Sequence, residues 1–333
     1  MTFRNSLLPA VSRYAAGIDV GPHAVRLVVV SQRLRANGPL RIEAMVSEPL
    51  SSGVLAGIEI VNRPAVGRAL REAFSRVAPA VVRRIVRCAM AVPGSATLLS
   101  THQLAELEHA ARASLAAPHV PLRHDPALRA LESAVMLEAE RIAGIERHAL
   151  AVDWFMDRAA RLSGCVTIAA AGRQHLETRI ECAAAAGITL TAVDGEPYAA
   201  LRALHHAAQF ELNAELHCAA LWVGSDGVYG WRLVSGQVAD EIRYPSPEYG
   251  DLRDALRDLA RDTAFECALV AGEVSLLDDV GLGYADIGDV LGCRAISFEC
   301  ASVAEPMPAA GDVFPHEPAF AVAFGLALRG VVE

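Results

Sequence analysis

Lysine is absent from this chain: all thirty basic side chains among its 333 residues are arginine. A phosphate loop of the G-x-x-x-x-G-K type, Schiff-base catalysis and the usual protein-kinase chemistry each need a lysine amine, so all three are excluded. Aromatic residues are scarce, at 5% against 53% hydrophobic residues overall. That balance suits α/β layers filled with Ala, Val and Leu better than an aromatic-rich β-sandwich. Long apolar runs are also missing. The N-terminus, Met1 to Tyr14, carries arginines without a sustained apolar stretch, and no later segment reaches the ~18 uninterrupted apolar residues of a membrane helix, so the expectation is a chain neither exported by a recognisable signal nor membrane-spanning. The seven cysteines are odd in number and contain no C-x-x-C pair, which points to reduced, mostly buried thiols and a cytosolic compartment. A net charge of -9 and a pI of about 5.7 remove the global phosphate attraction that nucleic-acid binding needs, so no nucleic-acid partner is expected.

What is present is enough chain for about two compact units. Three β-type runs, Ala15 to Val20, Val25 to Ser31 and Leu40 to Val46, are separated by turn residues and read as an antiparallel meander. Asn62 before Arg63-Pro64 starts a helix on which Val66, Leu70, Phe74 and Val77 recur at helical spacing. A strand at Ile85 to Val92 ends at Pro93-Gly94, helices are expected over about Gln103–Ala116 and Pro126–Ile145, and 117–125 gives no clear signal. Strands at Ala149 to Phe155 and Leu162 to Ala171, a helix over Gln174–Ala186, a strand at Ile188 to Val193 and a helix over Tyr198–Ala208 complete the first half. The second half opens as the first did, with Ala219 to Val223, Val228 to Val234 and Val238 to Tyr244. Val20-Gly21-x-x-x-Val25 is matched by Val223-Gly224-x-x-x-Val228, a short pattern consistent with duplication. A helix over about Glu248–Thr263, a strand at Ala268 to Ala271, helical material to Leu291 and an apolar helix from Ala319 to Leu328 follow.

In Asp19-Val20-Gly21 a carboxylate stands at a strand end before a glycine turn. Such a group can hold Mg²⁺ through water while turn amides face a phosphate, with Arg26 as a cationic contact; equally, it can simply cap a hairpin. His205, His206, His217 and Cys218 match no zinc spacing, so no metal site is expected. Between Arg63 and Arg87 seven arginines face one acid, Glu72. Arg68, Arg71, Arg83, Arg84 and Arg87 of this stretch are either a patch for an acidic partner or anionic lipid, or a solvated helix face.

Ala16 to Val28, Cys88 to Ser95, Leu137 to Glu140, Val152 to Trp154, Ala170 to Arg173, Ala186 to Asp194 with Pro197 and Ala199, and Pro318 to Gly330 together resemble the PilM family of type IV pilus assembly proteins. This family lies within the actin, heat-shock chaperone and sugar-kinase superfamily. The similarity is poorest over 100–130. The resemblance implies an α/β, actin-like (ribonuclease H-like) two-lobed fold with duplicated mixed sheets flanked by helices. It implies a first lobe over 1–195 with an inserted subdomain at about 76–148, a second lobe over 196–310, and a C-terminal segment, 311–333, returning to the first lobe. It further implies a cytoplasmic, non-catalytic scaffold, peripheral to the inner membrane, that binds the cytoplasmic tail of a PilN-like bitopic partner. By the same resemblance the related GspL cytoplasmic domain has this architecture, and HofM-like and ComA-like proteins are alternative labels.

Nucleotide is where the chain departs from the family pattern. The usual Ser/Thr after the first glycine is Pro22, which donates no hydrogen bond. The aspartate expected in the second phosphate hairpin aligns with Trp222, Ser225-Asp226-Gly227 replaces a threonine-rich turn, and the adenosine-side glycine pair has become Gly272-Glu273. No cofactor is therefore required. A weakly bound Mg-ATP, if retained, falls on Asp19, Gly21, His23, Arg26, Gly224, Ser225, Asp226, Gly272 and Glu273. The competing readings are an ATPase or small-molecule kinase, with Asp153 or Glu138 as the carboxylate, and a self-associating polymer former.

Overall fold

The computed structural model describes residues 12–33, 39–113, 130–156, 164–211, 217–245, 252–261, 263–306 and 318–332. The segment 117–125, most of 311–333 before Pro318, and the outer ends of several expected helices lie outside the described residues. The chain forms two compact units, one of residues 1–94 with 180–333, the other Ser95–Arg179.

The first unit opens with the expected meander, β1 (Ser12–Val20), β2 (Ala24–Arg33) and β3 (Leu40–Pro49), antiparallel throughout, with Asp19 opposite Arg26 and Val20 opposite Val25. A small hairpin, β4 (Leu55–Ala56) and β5 (Glu59–Ile60), precedes α1 (Arg63–Ser75). The Asn62 side chain accepts a hydrogen bond from the Ala65 amide (3.1 Å), the N-cap that the sequence announces. Val66, Leu70 and Ala73 then face Ile18, Leu27, Val29 and Met90 in one buried cluster. After the single turn α2 (Pro79–Val82), β6 (Ile85–Val92) runs parallel to β1.

Between β6 and the return of the chain stands the second unit. Its strands β7 (Thr97–Gln103), β8 (Leu150–Phe155) and β9 (Cys165–Gly172) form an antiparallel sheet in the order β7-β9-β8. The helices α3 (Leu104–Ala113) and α4 (Glu132–Ala143) contribute Leu107, Val135 and Ala139 to a core with Trp154, Val166 and Ile168. The expected insertion, 76–148, starts earlier and ends earlier than this unit. Residues 85–92 belong to the first sheet because β6 hydrogen-bonds to β1, and 150–172 belong to the insertion because β8 and β9 pair with each other and with β7. β7 has no strand signal in the sequence: its residues are all half-buried or exposed, and only the partner β9 makes them a strand.

The helix α5 (Arg173–Ala185) leads back into the first unit, where β10 (Ala192–Gly195) pairs in parallel with β6 and α6 (Glu196–Glu211) follows. The second sheet repeats the first. The meander β11 (His217–Gly224), β12 (Gly227–Val234) and β13 (Gln237–Pro245) is followed by α7 (Leu252–Leu259), then by β14 (Cys267–Gly272) parallel to β11. Next come α8 (Tyr284–Leu291), β15 (Arg294–Ser297) parallel to β14, α9 (Cys300–Val303) and β16 (Glu305–Pro306). The helical material expected before Leu291 is a 3₁₀ segment, Val274–Val280, followed by α8. The sheet orders are β10-β6-β1-β2-β3-β16 and β15-β14-β11-β12-β13. Apart from β16, an edge strand added to β3, the two have one topology, so the duplication read from a three-residue match is a property of the fold.

α10 (Ala321–Val332) and α6 lie together in the largest core, which draws Ala15, Val28 and Ala91 from the first sheet and Ala220, Trp222 and Leu269 from the second. Their contact is close because Gly325 lacks a side chain: a Cβ there would stand 1.8 Å from the Ala199 carbonyl oxygen.

Candidate nucleotide cleft

The β1–β2 and β11–β12 hairpins place equivalent residues at equivalent points. In the first sheet the pair before the turn is Asp19 opposite Arg26; in the second it is Trp222 opposite Tyr229. One duplicated position thus carries a charge pair in one copy and an aromatic pair in the other.

Arg26 is only 7% exposed. Its Nη1 donates to Asp19 Oδ2 at 3.3 Å, and its Nη2 donates to Glu273 Oε1. Glu273 arrives there through the end of β14. Gly272 has φ +93°, and a Cβ on it would lie 2.1 Å from the Val223 carbonyl oxygen, so only glycine lets β14 finish this close to β11. The Glu273 amide then donates to that same oxygen (2.8 Å), which fixes the direction of its side chain. Burial works against the Arg26 charge, but the two carboxylates outweigh it and its pKa is raised, so the guanidinium stays ionised.

Around this triad lies a cavity of only about 20 Å³, lined by Gly21, Pro22, Gly224, Ser225 and Gly272 among others. A single water needs roughly 10–15 Å³ and small-molecule pockets run from about 300 Å³ upward, so the volume suits a water and no more. Trp222 also lines it. Its indole folds over Gly224, where a Cβ would come within 2.4 Å of the ring, and its centroid is 5.4 Å from that of Tyr229.

Of the nine candidate nucleotide residues, seven line this cavity: Asp19, Gly21, Arg26, Gly224, Ser225, Gly272 and Glu273. His23 sits exposed in the first hairpin turn, and Asp226 occupies the second turn outside the lining. Glu196, Ala319 and Val322 also line the cavity, brought in from distant parts of the chain by α6, by the 3₁₀ turn Pro318–Phe320 and by α10; none of the three was among the candidate nucleotide residues.

The remaining candidates are dispersed. Asp153 is exposed and accepts from the Trp154 amide at 2.8 Å; Glu138 forms an ion pair with Arg141 that lowers its pKa. His205 bonds the Gly236 carbonyl oxygen (2.7 Å), His206 that of Val303 (3.3 Å), while Cys218 lies beside Cys267 with their sulfurs 3.7 Å apart. Among the five patch arginines, all exposed, Arg71 donates to the Ala185 carbonyl oxygen (2.6 Å) and Arg84 to the Tyr14 hydroxyl (3.0 Å), above whose ring it also stands. Arg68 is on α1, Arg83 caps the end of α2, and Arg87 is the third residue of β6.

Two sheets of one topology, each a meander extended by parallel strands, with ligand-type hairpins turned toward a shared cleft, make this an actin-like fold. The chain aligns along 98% of its length with all of the chain in a structure of a PilM-PilN type IV pilus biogenesis complex, at a TM-score of 0.70 and 20% identity. A protein with actin-like ATPase fold from Bacteroides thetaiotaomicron matches at a TM-score of 0.46 and 9% identity, over 85% of this chain and 91% of that one. The cytoplasmic domain of EpsL from the type II secretion system of Vibrio cholerae matches at 0.44 and 9%, over 95% of each. The family model of the type IV pilus assembly protein PilM matches residues 17–222, more than half the sequence, and the chain belongs to that family.

Proposed function

We propose that this protein is a cytoplasmic assembly scaffold of a type IV pilus inner-membrane platform, that it binds the cytoplasmic tail of a PilN-like partner, and that Arg26, not a nucleotide, holds its cleft. Membership of the PilM family and the fold shared with a PilM-PilN complex support the partner. Its place at the membrane comes through that partner, since no helix among the described residues is long and apolar enough to cross a bilayer.

The observation that carries the nucleotide-free reading is the Arg26 bridge to Asp19 and Glu273 in a cleft with about 20 Å³ to spare. For Mg-ATP to enter, Arg26 has to leave two carboxylates, and the incoming phosphates then meet the Glu273 carboxylate at close range in a weakly screened site. Like charges ~4 Å apart repel by about 4 kcal/mol at an effective dielectric constant of 20. The residues present therefore do not fit a nucleotide, and no catalytic step is assigned to them.

The test is a fluorescence-polarisation titration of the purified protein with the N-terminal cytoplasmic peptide of a PilN-like protein from the same organism, with and without Mg-ATP. Saturable binding that Mg-ATP leaves unchanged is expected. Absence of binding under both conditions sinks the scaffold reading. Mg-ATP turnover that Asp19→Ala abolishes sinks the nucleotide-free cleft and brings an ATP-dependent enzyme forward.

A further inference from the structure

Cys218 and Cys267 stand directly opposite each other on the parallel strands β11 and β14 of the second sheet. Their sulfurs are 3.7 Å apart, where the Cys267 thiol donates to that of Cys218, and the Cys218 thiol donates in turn to the Ala219 carbonyl oxygen at 3.2 Å. Both thiols are free, and both are buried in the largest core. Neighbouring strands lie ~4.8 Å apart and bridged cysteines have Cα atoms about 4.4–6.8 Å apart, so residues that face each other across this ladder are within bridging range. The sulfurs close to a bonded separation of about 2 Å by side-chain adjustment.

The fold itself does not call for the pair. By the correspondence that sets Asp19 against Trp222, Cys218 is the counterpart of Ala15, and the residue opposite Ala15 on β6 is Arg87. The same point of the duplicated sheet is thus filled without sulfur in the first copy. The two strands also have a particular place in the molecule. β14 begins at Cys267 and ends at Gly272, opposite Val223, and this end delivers Glu273 to Arg26. A covalent link at the start of the ladder fixes the strand pair on which that ion bridge depends.

We propose that Cys218 and Cys267 are a peroxide-sensitive dithiol that closes to a disulfide joining β11 to β14. One sulfur attacks an oxygen of hydrogen peroxide; the O–O bond breaks, water leaves and the sulfur becomes a sulfenic acid. The second sulfur attacks the first, the S–O bond breaks, and the hydroxyl departs as water with the proton of the second thiol. Two thiols lose two electrons and two protons in total, and one peroxide becomes two waters. The contact decides the product: a sulfenic acid with a thiol 3.7 Å away is resolved before a second peroxide carries it to the sulfinic acid. The hydrogen bond from Cys267, and then burial, hold the Cys218 pKa well above the ordinary thiol value. The thiolate is therefore scarce at neutral pH, and the pair answers sustained peroxide, faster as the pH rises. None of this depends on the scaffold reading.

The experiment treats the full-length protein with hydrogen peroxide, removes the excess, alkylates the remaining thiols in guanidinium and reads tryptic peptides by mass spectrometry. The expected product joins the peptide carrying Cys218 to the peptide carrying Cys267, and dithiothreitol releases it. The bridge is expected to persist in Cys293→Ser, which removes the neighbouring thiol just before β15, and to be absent in Cys267→Ala. Peroxide is expected to raise the urea midpoint of the wild type and not that of Cys267→Ala, because a bridge constrains the unfolded chain. A bridge from Cys267 to Cys293, a bridge between molecules, sulfinic acid at Cys218 or Cys267 in place of the bridge, or two intact thiols at these positions after Cys293 has been oxidised each overturn the proposal. A Cys218–Cys267 bridge that leaves the urea midpoint unchanged overturns its role in fixing the strand pair.

Discussion

Arg26 carries a side chain that is 8% exposed and touches two carboxylates, one from its own hairpin and one 247 residues away. Removing one member of a buried ion pair costs about 3–5 kcal/mol, because the partner charge stays behind without compensation. Glu273 is 23% exposed and can rehydrate in part, which places Arg26→Met near the low end, about 3 kcal/mol, by guanidinium denaturation. Adding Asp19→Asn to Arg26→Met removes one of the two carboxylate charges that Arg26 faces and is expected to restore part of that loss. If the double variant is the weaker of the two, Arg26 stabilises by packing and not by charge. The sequence singles out Asp19 and Arg26 as charged residues on either side of one turn, though as contacts for a metal and a phosphate and not for each other. It gives no sign of their bond to Glu273, which depends on the way β14 ends against β11.

At the level of elements, the contact between α6 and α10 depends on a missing atom. Gly325→Ala puts a methyl 1.8 Å from the Ala199 carbonyl oxygen, and backbone cannot move aside there as a flexible side chain does. Overpacking of this kind costs roughly 1–3 kcal/mol or more, and a lower thermal midpoint with a smaller soluble fraction is the expected readout. An unchanged midpoint means that the two helices separate freely. On α6, His206 packs near Phe210 and Phe324 and donates from its Nε2 to the Val303 carbonyl oxygen. Burial lowers its pKa from the ordinary 6.5, with the charge of His205 acting in the same direction. The folded protein therefore binds fewer protons than the unfolded chain near that pH. This contribution to stability is complete above about pH 6.5 and is lost as the pH falls through the lowered folded value. Urea midpoints are expected to drop more steeply from pH 7 to 5 in the wild type than in His206→Gln. Parallel curves locate the acid sensitivity elsewhere. Helix α1 was legible in advance because its cap and its apolar face are both local signals, whereas β7 and β15 were not, because each is a strand only through its neighbour.

In the whole molecule, the cores of the two compact units share no residue: the clusters of the first contain nothing from 95–179, and that of the second nothing else. Separate cores predict separate unfolding. The three tryptophans report on it, Trp154 in the second unit and Trp222 and Trp231 in the first. Fluorescence of Trp154→Phe and far-ultraviolet circular dichroism of the wild type are expected to give different urea midpoints; coincident transitions mean that the units unfold as one.

The sequence by itself determined the meanders, the first capped helix, the family and the loss of the phosphate-binding pattern at Pro22, Trp222 and Gly272-Glu273, because turns, caps and periodicity are written within a few residues. Only the tertiary structure decided that the insertion runs from Ser95 to Arg179, that Glu273 meets Arg26, and that the sulfurs of Cys218 and Cys267 meet. Strand pairing and helix packing join residues far apart in the chain, and no local pattern records which partner each one finds.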